Sequence, residues 1–186
     1  MNTPAFLKDA NDLLGEQGFA VSHVWYHGTS SELVASIQEH GLKRSGDQAL
    51  QAATQKTMAT LQHEYQATQE PVFLSQSKEL AFYWAAKKAR ERQLRLGGKD
   101  KPVVFAVDLP AELSSQVKPD VGAASLLLLK DGEEYMAHLA GIYQDNNAGV
   151  PDIDLRKADR MEYLTTLGMA YFDDDIGAAY LRLLSE

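Results

Sequence analysis

Two short stretches repeat one design and limit what this chain can fold into. Trp25-Tyr26-His27-Gly28-Thr29-Ser30 places an apolar entry, an imidazole, a glycine and two hydroxyls directly ahead of a helical pattern. Val72-Phe73-Leu74-Ser75-Gln76-Ser77 does the same before a second, longer one. A β-branched or aromatic run ending in small polar residues reads as a strand that turns into a helix. After the first, Leu33, Val34 and Ile37 form the buried side of a short helix stopped at Gly41, and Thr29 to Glu32 has capping-box spacing. Two strand ends thus gather hydroxyls, a histidine and bare backbone where a ligand can meet them.

The remaining pattern predicts one α+β domain over residues 1–186. Thr3-Pro4 opens a helix carrying Phe6, Leu7, Ala10, Leu13 and Leu14, ended by Gly15 and Gly18. Residues 47 to 70, rich in Gln, Ala and Thr, read as a solvated helix or a substrate-facing insertion. A long helix is expected from Lys78 to Leu96, closed by Gly97-Gly98. Val103, Phe105, Val107 and Leu109 alternate as one face of a strand. Ala123 to Leu129 is short and apolar, and Glu133 to Tyr143 reads as a strand with a helix as its rival. The end of the chain, about 158–186, reads as a helical extension to a core of about 22–145. In it, Asp173-Asp174-Asp175 caps a last helix holding Ile176, Tyr180, Leu183 and Leu184.

Composition narrows the function. The chain has 186 residues, 45% hydrophobic and 24% charged, in keeping with a globular protein. It has no cysteine, which removes disulfides, thiolate nucleophiles and Cys-based zinc sites. A net charge of −8 disfavours a broad nucleic-acid surface, although Lys87, Lys88, Arg90, Arg92 and Arg95 form a local basic patch. No apolar run is long enough to span a bilayer and no basic-then-apolar leader opens the sequence. The expectation is a cytoplasmic protein, or one exported without a cleaved N-terminal signal, with no membrane partner. Walker, G-x-G-x-x-G, G-x-S-x-G and H-E-x-x-H motifs are absent, and the five histidines show no metal-ligand pairing, so no metal is expected.

The order of the segments resembles the ADP-ribosyltransferase superfamily, enzymes that cleave the nicotinamide–ribose bond of NAD. Tyr26-His27-Gly28-Thr29 is similar to the H-G-[ST] motif of the branch using a His-Tyr-Glu set. Ser36-Ile37 through Gly41-Leu42 continue the resemblance. So do Val72-Phe73-Leu74-Ser75 with Ala81 and Tyr83, and Pro102 to Asp108. The last two segments also resemble RNA 2′-phosphotransferases. Ser125-Leu126-Leu127 ahead of Glu134-Tyr135 resembles the strand that carries the glutamate in the polymerase-like branch.

The resemblance implies a split antiparallel β-sheet flanked by helices, with NAD as co-substrate and a macromolecular acceptor, a protein before a nucleic acid. His27 would bond ribose hydroxyls, Gly28 would offer its backbone to nicotinamide, and Thr29 would fix the turn. Phe73 stands near the tyrosine position and keeps a stacking face without the hydroxyl. Ser75 would orient the ligand, Ser77 would cap the helix at Lys78, and Tyr83 would stack on nicotinamide or pack in the core. Glu134 would stabilise the positive charge that grows on the ribose as nicotinamide leaves; Glu133 is the neighbouring alternative. Gly132 stands where arginine-directed members carry a second glutamate, which makes arginine a poor acceptor here. A toxin or effector role fits as well as a housekeeping one. An RNA 2′-phosphotransferase and an inactive NAD- or ADP-ribose-binding module are the competing expectations.

Overall fold

The computed structural model describes residues 2–61, 69–120, 130–154 and 156–185. Two strands carry the pattern read from the sequence: β3 (Val24–Ser30) and β5 (Pro102–Asp108) pair antiparallel along their whole length, with His27 opposite Phe105. Beside them run β4 (Val72–Ser75), β6 (Lys118–Pro119), β7 (Met169–Phe172) and β8 (Leu181–Leu183). Among the described residues the sheet order is β6-β7-β4-β3-β5-β8, and every printed pairing is antiparallel. A separate hairpin of β1 (Leu14–Gly15) and β2 (Gly18–Phe19) sits outside this sheet. Helices α1 (Ala10–Leu13), α2 (Val34–His40), α3 (Gln48–Thr60), α4 (Lys78–Leu96), α5 (Ala111–Ser114), α6 (Lys130–Asp145) and α7 (Arg160–Leu167) complete the fold. The architecture is therefore a mixed α+β one with antiparallel sheets.

Each face of the sheet buries its own residue set, as the period of two requires. Trp25, Phe105, Val107, Val72, Leu74, Ala170 and Phe172 form one core with Ile37 of α2 and with Leu42 and Ile176. Leu42 and Ile176 bridge through paired backbone bonds of 2.8 Å, so the segment after β7 straps across this face before reaching β8. The opposite face carries α4, which meets β3 at Gly28. A Cβ built on Gly28 would overlap the Ala81 carbonyl oxygen and lie 2.9 Å from the Ala85 nitrogen. The helix reaches the sheet because that position has no side chain.

Local chemistry sets the limits of α4. Ser77 accepts a bond from Leu80 N at 3.2 Å, and Gly97 ends the helix at φ +74. Asp9 adds a second cap from a distance, accepting from Lys78 N at 2.8 Å and Glu79 N at 3.4 Å. This explains a correction. The single N-terminal helix expected from Thr3 is broken into a 3-10 turn, Ala5–Leu7, and the short α1, because Asp9 turns aside between them. Ser30, not Thr29, caps the turn after β3, accepting from Glu32 N at 3.3 Å. Gly41, at φ +79, ends α2 as expected.

Three further expectations are corrected. Glu133 to Tyr143 lies in helix α6, where Tyr135, Leu139, Ile142 and Tyr143 fall on one buried face at helical spacing. The C-terminal region is helical from Arg160 as expected but only as far as Leu167; beyond it β7 lies between β4 and β6 and β8 pairs with β5. The three aspartates cap no last helix. Asp173 pairs with Lys118 at 2.8 Å, while Asp175 pairs with Lys43 at 3.0 Å and accepts from Arg44 N at 2.9 Å. Ala123 to Leu129 lies outside the described residues.

Beyond Ser30 the strand is anchored by a buried ionic cluster. Ser30 Oγ and Arg92 Nε both donate to Asp100 Oδ1, the latter at 2.6 Å, and Arg92 Nη1 donates to Asp47 Oδ1. Asp47 also caps α3 and forms an ion pair with Lys88, whose Nζ lies 3.1 Å from Oδ2. These bonds hold both carboxyls below their ordinary range against the opposing effect of burial, itself the largest influence on each.

Two outcomes follow. Gly28→Ala should cost about 1–3 kcal/mol of stability, read as a lower urea midpoint, because neither helix backbone atom can move aside. The depressed Asp47 and Asp100 contribute stability that is complete above the unfolded value of 3.8 and is lost as pH falls through their folded values. Acid melts should therefore show Asp100→Asn to be destabilised at pH 7 but to lose less stability than wild type below about pH 4.

Candidate functional site

The sheet forks at the residues the sequence singles out. Between β3 and β4 the paired rung is Tyr26 opposite Ser75, and beyond it His27 onward stays with β5 while Phe73 and Val72 stay with β7. The His27 side chain spans the opening, with Nδ1 2.8 Å from the Phe73 carbonyl oxygen. A carbonyl only accepts, so Nδ1 carries the proton and Nε2 of the neutral ring is left as an acceptor. Burial, the largest influence, and the nearby charge of Lys88 push the imidazole below its usual value, while the Phe73 carbonyl pulls the other way. The net shift favours the neutral ring.

Phe73 stands at the mouth of this fork with 46% of its surface exposed, although Val72 and Leu74 on either side are buried. Lys88 follows Ala81 and Ala85 at i+7 and i+3, on the helix side that lies against Gly28. That placement brings its charge to His27. Sequence reading noted Lys88 only within a basic patch. Its spacing from the two alanines was the usable signal, but that signal has meaning only once Gly28 is known to lie beneath them.

The predicted residues fall into two groups. His27, Phe73 and Ser75 lie together on β3 and β4, with Ser75 buried at the last rung and Thr29 buried two residues along from His27. Tyr83 and Glu134 belong to the packing of α4 against α6. The Tyr83 ring stacks on His138 at 4.7 Å and meets Tyr135 edge-on at 5.6 Å, and Trp84 stacks on Tyr135 at 5.2 Å. Lys87 Nζ lies 5.6 Å from the Tyr83 ring centre and 3.1 Å from Glu134 Oε2. The core alternative for Tyr83 is the one its neighbours favour. Glu134 occupies a helix rather than the expected strand and is half-exposed. Tyr135 beside it is buried and donates to the Leu167 carbonyl at 2.5 Å, so the two point apart.

Helix α4 joins the groups, since the segment that rests on Gly28 also bears Tyr83, Lys87 and Lys88. The structural task of Gly28 is correspondingly larger than the sequence suggests: its missing Cβ is required by α4. Among the described residues no cluster of three or more His, Asp or Glu side chains is placed to hold a metal ion. No described helix is long and apolar enough to cross a membrane. No protein-family model matches the chain, and no curated protein is similar to it.

Nitrogen-15 spectra of the His27 ring should show the proton on Nδ1 at neutral pH and a titration midpoint below 6.5. A midpoint at or above 6.5, or a proton on Nε2, would remove the acceptor on which a ligand contact depends.

Proposed function

We propose that the chain is an NAD-dependent mono-ADP-ribosyltransferase that binds the nicotinamide riboside half of NAD at the β3–β4 fork. The observation that carries this reading is the fixed His27 tautomer, whose Nε2 offers an acceptor for a ribose hydroxyl at the point where the strands part. The partly exposed Phe73 ring on the neighbouring strand, whose backbone carbonyl His27 bonds, supplies a stacking surface for a planar base. The antiparallel sheet that divides after Tyr26 and Ser75 fits the split sheet expected from the sequence.

In the reaction, the bond between C1′ of the ribose and the nicotinamide nitrogen breaks, and its electron pair leaves with neutral nicotinamide. An acceptor nucleophile on a protein attacks C1′ and gives up its proton, completing the transfer. His27 holds the ribose hydroxyls while positive charge builds on the ring carbon. A carboxylate opposes that charge, and Glu134 is the candidate. The Lys87–Glu134 pair would have to open for this carboxylate to reach the sugar. Such a preorganised electrostatic contact is typically worth about 3–4 kcal/mol of barrier.

That same ion pair favours a second reading, a module that binds NAD or ADP-ribose without cleaving it, since Lys87 already engages the carboxylate. Nicotinamide release from NAD separates the two. The transferase reading expects turnover that falls about 10²-fold or more in Glu134→Gln and in His27→Ala. Calorimetric NAD binding with no release supports the module. Release that survives in Glu134→Gln but fails in His27→Ala assigns the carboxylate role to another residue. Absence of both binding and release ends the NAD reading.

A further inference from the structure

At the edge of the sheet where β6 pairs with β7, the chain encloses a cavity of about 400 Å³. That volume falls within the range of small-molecule pockets, roughly 300–1,000 Å³. Its apolar floor is Val117 and Phe172, both buried. Ser115 and Gln116 reach it from the turn after α5, Arg160 from the first turn of α7, and Asp173 and Asp174 from the turn after β7. None of these residues belongs to the β3–β4 fork, so the cavity is a separate feature of the molecule.

The charges around the cavity are of two kinds. Lys118, which also lines it, and Asp173 meet at 2.8 Å and cancel. Arg160 and Asp174 have no ion-pair partner among the described residues, and they do not pair with each other although they share one cavity. Arg160 is held in place all the same, since Nη2 donates to the Val117 carbonyl at 2.7 Å. A cation in the first turn opposes the helix dipole, so α7 itself gains nothing from it. Asp174 accepts from Asp175 N through Oδ1 at 2.7 Å, and its charge stays unmatched. Ser115 Oγ and Gln116 Nε2 both donate to the Glu112 carbonyl, at 2.9 and 3.1 Å, which leaves their oxygens as acceptors.

An unmatched guanidinium and an unmatched carboxylate on one small cavity select a ligand that carries both charges. A polyphosphate meets Asp173 and Asp174 and the chain's net charge of −8, while a simple cation meets Arg160. A peptide terminus brings one of the two charges; a free amino acid brings both. We propose that this cavity binds a free α-amino acid with a neutral side chain. Its carboxylate takes the Arg160 guanidinium, and its ammonium takes Asp174 with the Ser115 and Gln116 oxygens. Its side chain lies on Val117 and Phe172. The proposal is independent of the NAD reading.

Calorimetry on the full chain with glycine, alanine, valine and leucine tests it, each beside its N-acetyl and carboxamide derivatives. At least one free amino acid should bind saturably, and either derivative of it should bind about 10-fold more weakly or worse, the scale of one lost charge-assisted contact. Asp174→Asn, which keeps the acceptor for Asp175 N, should weaken the free amino acid and remove its advantage over the N-acetyl form. Arg160→Gln should weaken it likewise and remove its advantage over the carboxamide. Asp174 is exposed, so its variant keeps the test valid if Arg160→Gln does not fold. Amide shifts on binding should concentrate at residues 115–118 and 172–174. No saturable binding by any of the four, equal binding of parent and derivatives, or undiminished binding in Asp174→Asn overturns the site. Inorganic phosphate bound more tightly than every amino acid, and lost in Arg160→Gln, overturns it in favour of a simple anion.

Discussion

The close approach of α4 to β3 at Gly28 is the contact from which the rest of the arrangement hangs. The missing Cβ lets Ala81 and Ala85 lie directly on the strand. Helix registry then determines where every other residue of α4 goes. Leu80, Tyr83 and Trp84 meet the core beneath α6, Phe82 turns to the N-terminal segment, and Lys88 pairs with Asp47 while its charge is felt at His27. Caps at both ends keep that registry. Asp9 and Ser77 satisfy the first turn, while the bonds from Arg92 to Asp47 and Asp100 tie the last turns to α3 and to the start of β5.

The fork itself results from a conflict between strands. β3 is committed to β5 over seven rungs and β4 to β7 over four, so the two pairs diverge once the rung at Tyr26 and Ser75 is passed. Divergence would leave strand-edge carbonyls unpaired, a costly outcome if they are buried. His27 answers one of them by donating to the Phe73 oxygen. One side chain thereby closes a structural gap and keeps its other nitrogen as an acceptor. The proposed chemistry uses the polar atom that folding leaves over.

Much of this was legible in the residues, for physical reasons. Helix α4 announces both its ends, with a serine before it and a glycine after it, and β5 is a short apolar run because both its faces are buried, Phe105 and Val107 in the Trp25 core and Val104 beside Ala81 and Phe82. The segment around Tyr135 was harder. Its apolar residues at 135, 139, 142 and 143 have helical spacing, yet Glu133-Glu134-Tyr135 also suits a strand edge, and only packing against Trp84 and Leu80 decides between them. Strands β7 and β8 are four and three residues long, too short for periodicity to register. Gly168 at φ +63, which stops α7 just before β7, was the available clue. The fork was not legible, because a divergence between two neighbouring strands is set by their outer partners, β5 and β7. Glu134 was placed by analogy with a strand, and its partner Lys87 could emerge only from the docking of two helices.

Where a dinucleotide sits is the most direct test of the role of His27. A crystal structure of the chain with a hydrolysis-resistant NAD analogue should place a ribose hydroxyl within hydrogen-bond distance of His27 Nε2, with the Nδ1 bond to the Phe73 carbonyl intact. An analogue bound away from the fork, or an imidazole turned out of it to make room, would contradict the claim.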